Sequence, residues 1–125
     1  MAIAPVDDAH PSNPVYQTNV ATAIAAAGTV SSAAVDVAGA DSALILVGCD
    51  QTHAVIVQLS LDETTWFTLV PHADTVGPSS FAAAAGATTA RRVQVSGARA
   101  LQLRVSNTGG AGATLNSWVA VDYPG

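Results

Sequence analysis

The chain has 125 residues, which fits one domain, and carries 4 basic and 9 acidic side chains for a net charge of −5. All of the basic residues are arginines after residue 90, so the chain has no basic stripe of the kind that binds phosphate backbones, and nucleic acid is not an expected partner. Charged residues make up 10% of the chain and aromatic residues 5%. These values predict a core of small side chains and a surface that is partly covered by a partner.

The single cysteine, Cys49, ends an apolar run and excludes an internal disulfide, so we expect a buried, inert thiol. The first residues include Asp7 and Asp8 where a signal peptide would carry basic residues, and no apolar run is long enough to span a membrane. We therefore expect a protein that is made in a cytoplasm and has no membrane partner.

Residues 1–15 predict an extended arm, because Pro5, Pro11 and Pro14 exclude a helix and disfavour a central strand. Such an arm either frays or lies across a neighbouring chain in an assembly, and the sequence leaves both open. Residues 16–125 predict one domain, whose first strand runs from about Tyr16 to Ala27.

From residue 29 onward the pattern is typical of β-strands. The run 44–47 is apolar throughout, which fits a strand covered on both faces. Further short runs follow at regular spacing, and the run 93–95 ends in a turn at Gly97. About eight strands of this kind predict an all-β fold, an antiparallel β-sandwich of the jelly-roll type.

The clearest element is a hairpin from Ala54 to Val70. Apolar residues at the odd positions from 55 to 61 share one face, and Asp62-Glu63-Thr64-Thr65 turns the chain. A connection of this length usually contains a type I turn that opens with Asp. We expect Asp62 to shape the turn and Trp66 to anchor the returning strand.

No pattern of residues predicts catalysis or metal binding. His10, His53 and His72 are far apart, and Cys49 and Asp50 with His53 lack a second ligand pair at a recognised spacing. Nucleophile motifs are absent, and the glycine-rich segment 109–112 lies between strands, whereas phosphate loops precede a helix. We expect no enzymatic activity, no metal and no cofactor.

Trp66 and Trp118 have two interpretations. Each could offer a stacking platform for a sugar, or each could close one end of a core that is short of aromatic residues. The second interpretation is favoured because the chain has few other aromatic side chains.

The segment 58–69 resembles one found in small structural proteins of phage virions, such as capsid decoration (cement) proteins, head fibres and some tail proteins. In these proteins a strand ends in Ser-x-Asp-Gly and an aromatic residue starts the next strand. The Gly-x-Arg-x-x-x-x-Arg pattern from Gly97 to Arg104 also fits, as does 107–110 before a last strand with Trp118. The resemblance covers about residues 30–122. Glu63 replaces the usual Gly, so we expect a turn that tolerates a side chain there, as type I does.

The resemblance implies a protein without enzymatic activity that docks on the outer surface of a phage capsid. It would bridge neighbouring subunits of the major capsid protein, often as a homo-oligomer such as a trimer. The candidate contacts with the capsid or with other copies are in the arm and among the arginines: Pro5, Pro11, Pro14, Tyr16, Arg91, Arg92, Arg99 and Arg104.

Two alternatives remain open. The arginines could be solvated beside acidic residues of the same fold. The protein could also be a carbohydrate-binding or adhesin-like module in a fibre or tail that contacts the host, and an exposed Trp66 or Trp118 beside polar loop residues would favour that function.

Overall fold

The computed structural model describes residues 14–68 and 81–124, which form two antiparallel β-sheets and contain no helix. The prediction of an all-β sandwich is therefore confirmed. The arm as far as residue 13, with Pro5 and Pro11, lies outside the described residues, as do His10, His72 and the last two residues of the predicted hairpin.

The strands of each sheet follow the pleat of the apolar runs seen in the sequence. The first sheet contains, in spatial order, β1 (Val15–Ile24), β10 (Ala113–Asp122), β4 (Ser42–Cys49) and β8 (Thr88–Gln94). The second sheet is centred on β9 (Ala100–Asn107) and β5 (His53–Ser60), which pair with each other. The strands β2 (Thr29–Ser31) and β3 (Val35–Asp36) lie along the free edge of β9. The strands β6 (Phe67–Thr68) and β7 (Phe81–Ala83) lie along the free edge of β5.

The strand order is that of a jelly roll. β2 and β3 together occupy one position beside β9, and β6 and β7 occupy one position beside β5. Eight positions then remain in two four-stranded sheets, and β10 lies between β1 and β4 just as β9 lies between β2 and β5. The predicted strand number of about eight follows from this count.

The core between the sheets consists of branched aliphatic side chains and alanines, as the composition predicts. Its fully buried members include Ile45, Val47, Val55, Val57, Leu101, Leu103, Leu115 and Val119. Within the described chain no aromatic side chain belongs to this buried cluster, although Tyr16, Phe81 and Tyr123 pack against its margin. Leu44 and Leu46 are half-buried on the outer face of β4, so the apolar run 44–47 is fully covered on its inner face only.

The strands run between two ends of the sandwich. The Asp62 end contains the connections 37–41, 61–66 and 95–99 together with residue 14. The Asp50 end contains the connections 25–28, 50–52, 84–87 and 108–112. The β4–β5 turn and the β5–β6 turn therefore lie at opposite ends, because β5 runs the length of the sandwich.

One edge of the first sheet is irregular. β1 shifts register against β10 between Gln17 and Asn19 and again before Thr22, and Ala21 adopts a φ of 43°. The buried hydroxyl of Ser117 donates to the Asn19 amide oxygen at 2.8 Å, since that oxygen can only accept. Thr18 therefore donates its own hydroxyl proton to Ser117 at 2.6 Å.

The other edge of the first sheet carries an arginine that faces the interior. Arg91 of β8 stands opposite Ile45, and its guanidinium carbon lies 4.8 Å from the centre of the Phe81 ring in β7. This stacked pair closes the gap between the two sheets at that side.

Candidate functional site

Asp62 organises the connection between β5 and β6. Its Oδ1 atom accepts the backbone N–H groups of Thr64 at 2.9 Å and Thr65 at 2.7 Å, and the hydroxyl of Ser60 donates to it at 3.1 Å. These bonds favour the ionised carboxylate, so the pKa of Asp62 is held well below its ordinary value, first by the Thr65 and then by the Thr64 backbone bond. The turn depends on this charged acceptor.

The turn at Glu63 does not accommodate a side chain as easily as the sequence predicts. Its φ is 66°, the left-handed conformation that glycine adopts without cost, so the expectation of unstrained type I geometry at this position was wrong. Two contacts hold it there: its N–H donates to Ser60 Oγ at 2.8 Å, and its Oε2 accepts from Arg99 Nε at 3.2 Å. In the neighbouring turn Gly97 has a φ of 86°, where glycine is the residue that fits.

An apolar cleft of about 350 Å³ opens at the Asp62 end. We call it the Phe67 cleft; it is lined by Leu59, Leu61, Phe67, Ser96, Gly97 and Ala98, among others. Leu61 is 69% exposed and Phe67 61% exposed. The prediction that Leu61 shares one strand face with Val55, Val57 and Leu59 was wrong, because β5 ends at Ser60 and the next residue enters the turn.

The candidate arginines do not form one patch. Arg92, on the outer face of the first sheet, lies 3.6 Å from Asp122 and donates to Ser42 Oγ at 3.1 Å. Arg104 is exposed on the outer face of the second sheet and has no partner among the described residues. Arg92 and Arg99 thus have the arrangement of arginines solvated beside acidic side chains, whereas Arg91 faces the interior.

Pro14 and Tyr16, placed by the sequence at the junction of arm and domain, belong to the sandwich. Pro14 is buried and its carbonyl accepts the Val121 N–H at 2.9 Å. Tyr16 pairs with Val119 and packs against the core. β1 begins at Val15, one residue inside the range predicted for the arm.

The two tryptophans lie at different places, and neither belongs to the buried core of the described chain. Trp66 is half-buried in the connection that precedes β6. Trp118 lies on the outer face of the first sheet between Gln17 of β1 and Leu46 of β4, because its neighbours Ser117 and Val119 point inward. The alternation in the last strand indicates this outward orientation, whereas the scarcity of aromatic residues favoured a place in the core.

A second cleft, the Trp118 groove, lies at the Asp50 end and has a volume of about 390 Å³. Its lining includes Gly48, Asp50, Thr88, Thr114, Asn116 and Trp118. The β4–β5 turn supplies Asp50, and the strands β8 and β10 supply the threonines, the asparagine and the indole. Sequence reasoning missed this combination because the residues come from three separate segments that only the sheet order brings together.

Cys49 and His53 are both buried, on either side of the β4–β5 turn. His53 Nδ1 lies 2.8 Å from the Gln51 carbonyl oxygen, so it carries the proton, and Nε2 is buried with no partner in the described chain. Among residues 14–68 and 81–124, no three His, Cys, Asp or Glu side chains are grouped to hold a metal ion. In the same residues there is also no helix of the length and apolarity that a membrane span needs.

No family model matches the sequence, and no curated protein matches it. Among solved structures, the PBSX exported protein XepA is similar over 100% of this chain and 46% of its own, with 17% identity and a TM-score of 0.70. Tripeptidyl peptidase 2 is similar over 97% of this chain and 10% of its own, with 10% identity and a TM-score of 0.59. The chain thus spans less than half of either protein, and at these identities the likeness shows a shared β-sandwich fold.

Proposed function

We propose that the protein is a structural protein of a phage virion, and specifically a capsid decoration protein that docks on the outer shell and stabilises it. Support comes from the resemblance of residues 30–122 to phage accessory proteins. The fold is compatible with this role, since the same sandwich occurs within the PBSX exported protein XepA. The partner would be the major capsid protein, and the site of action the outside of the virion.

The observation that carries the proposal is the pair of exposed apolar side chains at the Asp62 end. Leu61 and Phe67, both more than half exposed, flank a cleft whose other residues are mostly small or apolar. Exposed large apolar residues that adjoin one another mark contact surfaces. The polar pair of Glu63 and Arg99 lies in the adjoining turns, which gives the surface the polar margin of a protein interface.

The arm attaches at this same end, because Pro14 precedes β1 there. The 13 residues before Pro14 reach at most about 45 Å from it when extended. The proposal therefore places the Phe67 cleft on one coat subunit and the arm on its neighbour, which would join the two.

The strength of one such contact is modest. Full burial of a Leu or Phe side chain stabilises by about 1.5–3 kcal/mol each, whereas association costs at least about 4 kcal/mol in lost freedom of motion. One copy on one site would bind weakly. Oligomerisation, with a trimer as the proposed state, and the many identical sites of a shell would supply the missing affinity through avidity.

The test is co-sedimentation of the purified protein with capsids assembled from the major capsid protein encoded in the same genome. A double variant, Leu61→Glu with Phe67→Glu, should lower occupancy at least about tenfold, since it places charge in the apolar contact. The matched control is Val20→Glu, because Val20 is 66% exposed but lies on β1 away from the cleft. Deletion of residues 1–13 should weaken binding independently.

Unchanged occupancy of the double variant would refute the cleft as the docking surface, and unchanged occupancy after the deletion would refute the role of the arm. Light scattering on the protein alone measures its oligomeric state. A monomer would contradict the trimer while leaving the test of capsid binding intact.

A further inference from the structure

The Trp118 groove lies at the opposite end of the sandwich from the proposed docking surface. Its volume of about 390 Å³ falls within the range of roughly 300–1,000 Å³ that small-molecule sites occupy. Asp50 and Thr114 border it at the Asp50 end, and Trp118 continues it along the outer face of the sheet. A copy seated through its Asp62 end would therefore keep this groove exposed to the surroundings.

Two polar side chains of the groove are fixed by the protein and retain an unused hydrogen-bonding atom. Asp50 Oδ1 accepts the Thr114 N–H at 2.7 Å, and Asn116 Oδ1 accepts the Ala21 N–H at 2.9 Å. Within the described chain, Asp50 Oδ2 and Asn116 Nδ2 have no partner. One bond orients each group, and the other atom is left for a ligand.

Two hydroxyl groups complete the polar lining. The side chains of Thr88 and Thr114 make no hydrogen bond to the described residues, and each can both donate and accept. Gly48 leaves the space beside Thr88 free, since a Cβ at this position would lie 3.2 Å from Thr88 Oγ1. A side chain at residue 48 would therefore crowd the groove.

We propose that the Trp118 groove binds a neutral saccharide, with one sugar ring stacked on the indole of Trp118 and its hydroxyl groups bonded to Asp50, Asn116 and Thr88. The apolar C–H face of a sugar suits the indole of Trp118, which is half-buried and lines the groove. Sugar hydroxyls donate to a carboxylate and accept from an amide, so they satisfy both kinds of unused atom.

The charge of the groove selects among ligands. Its lining contains the Asp50 carboxylate and no cationic side chain, so it repels acidic sugars and phosphate groups. A quaternary ammonium could approach the indole and Asp50, but it cannot bond to Asn116 or the threonine hydroxyls. Saccharide binding at this groove requires no contact with a capsid.

The experiment is saturation-transfer NMR and calorimetry on the full chain with lactose, maltotriose, cellotriose and chitotriose. Sialyllactose serves as the acidic probe and choline as the cationic one. We expect binding of at least one neutral sugar with a dissociation constant on the order of 1 mM, as befits a small ligand in an open groove. Trp118→Ala should weaken it at least about tenfold, and Trp118→Phe should retain part of it.

Trp66→Ala is the matched control, because it removes the other tryptophan at the opposite end and should leave the affinity unchanged. Asp50→Asn keeps the acceptor for the Thr114 N–H and changes only the second atom, so it should weaken binding without loss of thermal stability. No binding of any of the four neutral sugars at about ten times that dissociation constant would overturn the proposal. Binding that survives Trp118→Ala, or a preference for choline or sialyllactose, would overturn it equally.

Discussion

The left-handed conformation of Glu63 leads to a prediction about stability. Two substitutions, Glu63→Ala and Glu63→Gly, both remove the carboxylate and with it the ion pair to Arg99. They differ in that alanine retains a Cβ at a φ of 66°. That conformation costs a residue with a Cβ about 1–2 kcal/mol, while glycine loses about 0.5–1 kcal/mol more backbone entropy on folding. The glycine variant should therefore be about 0.5–1 kcal/mol more stable than the alanine variant.

Urea unfolding followed by circular dichroism measures this difference. With a slope of about 1–3 kcal/mol per molar urea, the glycine midpoint should be roughly 0.2–1 M higher. The ion pair is solvent-exposed and contributes about 0.2–1 kcal/mol, so the glycine variant should match or slightly exceed the wild type. Measuring the two Glu63 variants again in an Arg99→Ala background removes the contribution of the ion pair from the comparison. An alanine variant at least as stable as the glycine variant would refute the assigned backbone conformation.

Three further predictions concern buried or charged hydrogen bonds. Because the pKa of Asp62 is lower in the folded protein than in the unfolded chain, the Asp62 carboxylate stabilises the fold above about pH 4, and this stabilisation is lost as the pH falls below that value. Asp62→Asn should therefore flatten the dependence of the urea midpoint on pH between pH 5 and 2. An unchanged slope would contradict this role. Asn107→Ala should lower the free energy of unfolding by about 2–4 kcal/mol. The buried amide donates to the carbonyl of Ala111 at 2.7 Å and to two carbonyls before β2, and all three would lose their donor. A loss below about 1 kcal/mol would show that water replaces the amide. Ser117→Ala should lower the free energy of unfolding by about 1–3 kcal/mol because it leaves Thr18 and Asn19 without their shared partner. The double variant Thr18→Val with Ser117→Ala should lose less stability than the sum of the two single losses.

Much of the fold follows from local pattern. An uninterrupted apolar run predicts β4, and alternation of apolar and polar residues places β5, β9 and β10 close to their observed bounds. The paucity of aromatic residues predicts the aliphatic core. Asp62 is recognisable as a turn residue because its short carboxylate can accept backbone N–H groups two and three residues ahead. These features depend on neighbours in the sequence, which a single sequence displays.

The remainder depends on contacts between distant segments. Leu61 continues the alternation of β5 in the sequence, yet the turn begins there and exposes it, because Ser60 bonds to the backbone of the next residues. The left-handed φ of Glu63 is maintained partly by Arg99, which is 36 residues away. The Trp118 groove likewise requires β10 to lie beside β4, a neighbour relation that no local pattern specifies.

The two edges of the first sheet have a consequence for crowded copies. The register shifts of β1 interrupt the row of backbone N–H and C=O groups with which an incoming strand would pair. At the other edge, the inward-facing charge of Arg91 in β8 disfavours the addition of a further strand. When many molecules are held side by side at high local concentration, these features disfavour edge-to-edge pairing of their first sheets. Association then occurs through side-chain surfaces, whose contacts can be geometrically specific and reversible. We therefore expect concentrated solutions of the folded protein to stay clear and to bind no thioflavin T.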